Sequence, residues 1–261
     1  MQTLKRWAMA LLTPVPLLGL VGLPRYLANW RRLKEKAPND LRLADSYPCL
    51  SDWVQSTPFD PHYFYQAGWL ARRLRASGVS AHADVGSDVR MIGVLSAFID
   101  VTFIDYRPLS ATLAGLRCEA GNLTGLGLPD ASLPSLSCLH VVEHVGLGRY
   151  GDPLDIAGSE RALAELQRVL APEGRLYLSV PVGRERICYN AHRVFSPRSI
   201  VDALSGLALR EFSLVDDDGR FIENADPTAA AALDYGCGLF VFERRVPHAA
   251  PLPLDSEFSA Q

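Results

Sequence analysis

From residue 60 onward the apolar positions switch between a helical and an extended period. In PHYFYQAGWLARRLRASG, Tyr63, Ala67, Leu70, Ala71 and Leu74 fall on one face of a predicted helix that opens at Pro61 and stops at Gly78. SAHADVG reads as a short strand ending on Gly86, VRMIGVLSAF as a helix, and DVTFID as a strand closing on Asp105. PLSATLAGL opens on a proline and predicts a further helix, and LRCEA a weaker strand. After the loop GNLTGLGLPDASLPS, the apolar run LSCLHVV predicts a chain extended through Val142, with Glu143 emerging at a rim.

The segment GSERALAELQRVLAPEGRLYLSVPVG carries the clearest local signal. Ala162, Leu163, Leu166, Val169 and Leu170 form one stripe, Ser159 is the expected cap, and Glu160 suits the first turn. Pro172 and Gly174 stop that helix, and RLYLSVPV follows as a buried strand. RSIVDALSGL adds a helix, and LREFSLVDDD and GCGLFVFERR add two strands. The polar stretch between Asp216 and Asp234 reads as a loop able to close over a pocket. Strands alternating with helices at this spacing imply an α/β fold, a doubly wound and mostly parallel sheet with helices on both faces.

The first forty residues follow another pattern. The seventeen residues from Trp7 to Leu23 carry no charge, and Trp30 with Arg25, Arg31, Arg32, Lys34 and Lys36 follows. That run sits at the short limit for crossing a bilayer, and Pro14 and Pro16 interrupt it. It therefore reads as an arm over residues 1–40 that either lies at a membrane interface through residues 1–36 or packs on protein. Residues 41–245 are assigned to the α/β domain, and 246–261 to a disordered tail. A formal net charge of −3 argues against nucleic acid held by bulk electrostatics. Five cysteines without a CxxC pair fit reduced thiols in the cytoplasm, at most at the inner face of a membrane.

H-V-V-E-H, residues 140–144, matches an inverted zinc-peptidase pattern. Two histidines four apart share an ion on a helix, where they lie about 6 Å apart, whereas on a strand they lie roughly 13 Å apart. The residues before Glu143 read as strand and Gly146 and Gly148 follow it, so zinc hydrolysis is kept only as a minor alternative and no metal ligands are assigned.

In open parallel sheets ligands bind at the carboxyl ends of the strands. Those ends carry Asp84 and Gly86, then Asp105, Asn122, and Glu143 with His144. A carboxylate such as Asp105 suits ribose hydroxyls, Gly86 permits close backbone approach, and Asn122 suits an adenine edge or an Asx-turn. Acidic-x-Gly, an aspartate closing the next strand, Gly-Asn, Leu-Pro, Glu-His and the helix ending RVLAPEGRLYLSVP together resemble the class I S-adenosylmethionine-dependent methyltransferases over about residues 60–245. VVEHVGLGRYGDPLD and YNAHRVFSP resemble, more narrowly, the branch known as domain of unknown function 268, whose similar members sit in bacterial surface-polysaccharide gene clusters.

The resemblance implies a Rossmann-like sheet of seven strands and S-adenosylmethionine as cofactor. It places Asp84, Gly86 and Ser87 at the methionine end, Asp105 at the ribose, Asn122 near adenine, and Glu143 and His144 between cofactor and acceptor. The chain departs from the family where Ser87, Asp88, Val89 and Arg90 replace a glycine-rich loop; Asp88 there suits a helix cap. Methyl transfer to oxygen needs a proton acceptor, for which His144, His192 and Asp152 are the candidates. Arg149, Tyr150, Asp155, Tyr189, Asn190 and Arg193 are candidates to grip a small-molecule or glycan acceptor, as in surface-polysaccharide synthesis, although Arg149 and Asp152 equally suit a pairing that fixes their loop. The alternative from another class is a non-catalytic scaffold of the same fold in an envelope-synthesis assembly.

Overall fold

The computed structural model describes residues 16–245. The start of the uncharged run and the tail 246–261 lie outside the described residues. Along the chain, two compact units divide between Phe59 and Asp60.

In the first unit, helix α1 (Pro16–Lys36) runs through Pro24 and is followed by a 3-10 turn at Leu43–Asp45. Gly22 of this helix lies close against the chain at Leu50: a Cβ there would stand 2.1 Å from the Leu50 carbonyl oxygen. The Arg25 guanidinium lies 4.2 Å from the centre of the Trp53 ring, and Lys34 Nζ donates to the Leu41 carbonyl at 2.6 Å. No helix among the described residues is long and apolar enough to cross a membrane.

The second unit opens with α2 (Pro61–Ser77), which begins at Pro61 and is stopped by Gly78 in the left-handed conformation, as its sequence predicts; Asp60 caps it. Strands β1 (Ala81–Val85), β2 (Asp100–Asp105), β3 (Leu116–Ala120), β4 (Leu133–Leu139) and β5 (Leu170–Val182) form the parallel part of one sheet. A hairpin of β6 (Arg186–Cys188) and β7 (His192–Val194) stands apart from it. β8 (Leu207–Val215), β9 (Phe221–Ile222) and β10 (Gly236–Arg244) complete the sheet in the order β3-β2-β1-β4-β5-β10-β8-β9, with β10 antiparallel to both neighbours. Sequence order reverses between β1 and β4, the place where such sheets open a crevice.

Alternation along the strands feeds two cores. On one face Leu136, Leu176, Leu178 and Val180 pack with Ala162, Leu163 and Leu166 of α4 (Gly158–Val169) and Ile200 of α5 (Pro197–Ala203). On the other, Phe103, Leu139, Tyr177 and Leu239 pack with Trp69, Leu70 and Leu74 of α2 and Met91, Ile92 and Leu95 of α3 (Val89–Leu95). A mostly parallel doubly wound sheet covered on both faces is what the sequence pattern predicts; the two-residue β9 brings its seven strands to eight.

Three local expectations differ. PLSATLAGL forms no helix: it is mostly exposed, Gly115 within it turns to φ +72°, and its last residue, Leu116, opens β3, which leaves a run too short to offset the cost of helix nucleation. Ser159 lies inside α4 instead of capping it, and its hydroxyl donates to the Val142 carbonyl at 2.7 Å. β4 ends at Leu139, three residues early. His140 turns to φ +54°, Val142 drops into the core, and Val142–His144 closes a 3-10 turn.

Candidate functional site

The turn after β1 is built on a buried polar chain. Asp84 is fully buried; its carboxylate accepts from the Ser87 amide at 3.0 Å, the Ser87 hydroxyl at 2.7 Å and the Ser137 hydroxyl. The Ser87 hydroxyl also accepts from the Leu139 amide at 3.0 Å, so it ties β1 to β4. Ser87 therefore points inward, away from the groove. Burial, partly offset by the serine hydrogen bonds, raises Asp84 to about 6. Asp84 and Ser87 shape the turn from beneath, and neither lines the groove. Asp88 caps α3, accepting from the Arg90 amide at 2.7 Å.

Above this turn a crevice is lined by Gly86, Asp105, Asn122, His140, Val141, His144, Tyr150 and Asp152 among others. Gly86 holds φ +73°, and a Cβ there would meet Val141 Cγ1 at 3.0 Å and Asp105 Oδ2 at 3.7 Å, so glycine is what keeps this wall open. Asp105 Oδ1 accepts from the Arg107 amide at 2.6 Å. Asn122 forms an Asx-turn, its Oδ1 accepting from the Thr124 amide and hydroxyl, and its side chain faces the crevice as well. Tyr150 closes the outer wall, with the Arg107 guanidinium 4.4 Å and that of Arg149 5.2 Å from its ring centre.

Both histidines of H-V-V-E-H lie here, in different roles. His144 Nδ1 faces the Ala191 carbonyl at 2.6 Å, which fixes the proton on Nδ1 and makes Nε2 the basic nitrogen. Burial, only partly offset by Glu143, lowers its pKa, so the ring is neutral near pH 7. His140 points elsewhere, Nδ1 against Glu143 Oε1 at 2.8 Å and Nε2 against Cys237 Sγ at 3.3 Å. The two imidazoles do not share a helical face, and the peptidase pairing is absent. Among the described residues the convergent set is instead His62, His140 and Cys237.

Several expected contact residues hold structural partners in the fold. Glu143, expected at the rim against cofactor, is buried behind the crevice, where Oε1 reaches His140 and lies 3.6 Å from His144 Nε2 while Oε2 has no partner. Asp152 lines the crevice, yet its carboxylate accepts from the Gly146, Gly148 and Tyr150 amides; these outweigh its partial burial and hold it below the usual carboxylate range. It is thus a poor base. Arg193, expected at an acceptor lip, is buried and donates to the Val145 carbonyl at 2.7 Å and the Ile156 carbonyl at 3.1 Å. Asp155 pairs with Arg161 and accepts from the Ala157 amide, and Arg149 donates to the Ala191 carbonyl at 3.0 Å. Tyr189 is exposed beside Asn190 in the β6–β7 turn, and His192, its pKa lowered by burial, packs 4.9 Å from Tyr235.

His62 and Tyr63 in the first turn of α2, with Tyr235 and Cys237 near the start of β10, gather around His140 outside the crevice lining, a grouping that sequence reasoning missed. His62 stacks between His140 and Tyr235, with ring centres 5.3 Å away in each case. Burial, reinforced by His140, lowers His62 to about 4.

Residues 133–216 match the family described as "Caenorhabditis protein of unknown function, DUF268". No curated protein matches the chain in sequence. Among solved structures, the N-methyltransferase NodS from Bradyrhizobium japonicum WM9, in complex with S-adenosyl-L-homocysteine, is similar at a TM-score of 0.51 and 14% identity over 83% of this chain and 98% of that one. The [4+2]-cyclase SpnF is similar at 0.50 and 14% identity over 87% and 96%. Likeness at that identity is one of fold, and the second name shows that the fold alone does not fix a reaction. The chain thus has the fold of the class I S-adenosylmethionine-dependent methyltransferases, and its match to DUF268 runs from β4 to β8 within that fold.

Proposed function

We propose that the crevice binds S-adenosylmethionine and that the chain is a methyltransferase for a small molecule or glycan. The observation that carries this reading is the open wall at Gly86, with the Asp105 carboxylate and the Asn122 side chain along the same groove at the switch point of the sheet. The residues fit the group: a Cβ at position 86 would fill the cradle, and Ser87 turns away from it.

When bound, S-adenosylmethionine supplies a methyl group activated on a sulfonium. Asp105 is suited to accept from ribose hydroxyls, Gly86 leaves the backbone bare for close approach, and Asn122 presents an amide toward the base. His144 Nε2 takes the proton that an oxygen or nitrogen acceptor loses as its bond to carbon forms. Glu143 orients His140 from behind, as a positioning residue, and the Ala191 carbonyl orients His144. Arg107 and Tyr150 exclude water from the outer wall.

A glycan acceptor of envelope polysaccharide synthesis is supported by the resemblance of the two long blocks and by Tyr150 and Tyr189, half-exposed and exposed, which offer ring faces of the kind sugars stack upon. A cytoplasmic place at the inner membrane face is supported by the uncharged run and the cations that follow it.

Calorimetric titration of the full chain with S-adenosylhomocysteine tests the cofactor assignment. Binding is expected, with Asp105→Ala weakening it at least about 10-fold, in line with a charge-assisted hydrogen bond. Absence of heat and of thermal shift at millimolar ligand overturns the assignment.

A further inference from the structure

We propose that His62, His140 and Cys237 form a binding site for a transition-metal ion of the zinc class, with Glu143 as the carboxylate that orients His140. The three ligands come from the first turn of α2, the bend after β4 and the start of β10, and their donor atoms all lie within 4.8 Å of one another. His140 Nε2 and Cys237 Sγ stand 3.3 Å apart, against about 3.5 Å for nitrogen and sulfur ligands on one tetrahedral zinc ion. The His62 ring stacks on that of His140 with centres 5.3 Å apart, so His62 must turn to aim a ring nitrogen at the ion. His62 is only partly buried, so rotation of its side chain can close the remaining gap of about 1 Å.

Two features favour an ion over a chance meeting of polar groups. His140 is held in the left-handed region at φ +54°, which histidine adopts at a cost, and its Nδ1 is engaged by Glu143 at 2.8 Å, leaving Nε2 to face Cys237. A carboxylate behind a ligating histidine is the usual device that fixes its ring and tautomer. Glu143 Oε2, buried and without a partner, adds negative charge that a cation close behind His140 offsets. A thiolate with two imidazoles selects zinc, cobalt or copper over magnesium and calcium. Tyr63 and Tyr235 flank the histidines, with ring centres 5.5 Å from His140 and 5.3 Å from His62. Three protein ligands leave the fourth tetrahedral position to water or to an anionic group of an acceptor.

The site shares His140 with the crevice, but His62 and Cys237 lie outside its lining, so variants at those two positions test the site apart from the cofactor assignment. The test uses the full chain, stripped with chelator and titrated with Co2+. About one equivalent per chain is expected, with the ligand-field bands of tetrahedral cobalt and a thiolate-to-cobalt charge-transfer band. Cys237→Ser should abolish the charge-transfer band and weaken Co2+ at least about 10-fold, and His62→Ala should weaken it while keeping that band. Both variants should bind S-adenosylhomocysteine as the parent does, which shows that they are folded. Less than about a tenth of an equivalent of Co2+, or a spectrum that Cys237→Ser leaves unchanged, overturns the site. Metal binding by a chain that gives no heat with S-adenosylhomocysteine supports the site and removes the cofactor assignment.

Discussion

Replacing Asp84 with asparagine should change how stability depends on pH more than it changes any contact. Asp84 is fully buried, and its pKa is raised from 3.8 to about 6, chiefly by burial. A carboxyl with a folded pKa above its unfolded one binds its proton more tightly in the folded protein. Its stabilising contribution is therefore complete below about pH 4 and is lost as pH rises through about 6. The loss amounts to about 3 kcal/mol for a shift of roughly two units. The substituted amide cannot ionise, and the Ser87 and Ser137 hydroxyls can rotate to accept from it, so the turn keeps its shape.

Wild-type stability alone would not isolate the effect. His82, joined to the same chain through Ser137 at 2.8 Å, is lowered to about 3 by burial. It loses stability in the opposite direction, as pH falls below the unfolded value of 6.5. The quantity to measure is the difference in urea-unfolding free energy between Asp84→Asn and wild type, from pH 4 to pH 7.5. It should move in favour of the variant by about 3 kcal/mol across that range. A difference that stays flat refutes the assignment of an ionised, desolvated carboxylate at this turn.

Gly86→Ala should cost about 1–2 kcal/mol, because alanine is strained at φ +73° and its Cβ presses on Val141, and calorimetry should show S-adenosylhomocysteine binding reduced with it. Arg193→Met should lower stability by about 2–4 kcal/mol in denaturant titration, since it strands the Val145 and Ile156 carbonyls; an unchanged midpoint would restore Arg193 to an acceptor role. Deleting residues 1–36 should move the protein from the membrane fraction to the soluble one, and unchanged fractionation on centrifugation refutes membrane contact through that segment.

The parts of the molecule that follow a period can be read from the sequence. The stripe from Ala162 to Val169, the opening proline and stop of α2, and the polar residues at the ends of β1 to β4 are all local patterns, and topology gathers Gly86, Asp105, Asn122 and His144 into one crevice. Side-chain direction is not legible in the same way. Ser87 could face the ligand or the core, and only its bonds to Asp84 and the Leu139 amide decide for the core. Glu143, Asp152 and Arg193 have the chemistry of contact residues, but buried backbone or neighbouring histidines claim them first. His62 and Cys237 stand 175 positions apart, and nothing between them marks their meeting; it follows from α2 crossing the sheet where β10 begins.

The insertion of β10 between β5 and β8 bears on synthesis of the protein. While the ribosome is still making the chain, β5 and β8 are complete before the strand that joins them exists, and each offers a bare edge to other nascent chains. Premature termination anywhere before Gly236 would remove a central rung rather than a fringe, and would take Cys237 with it. Such a product would be a substrate for chaperones and proteases.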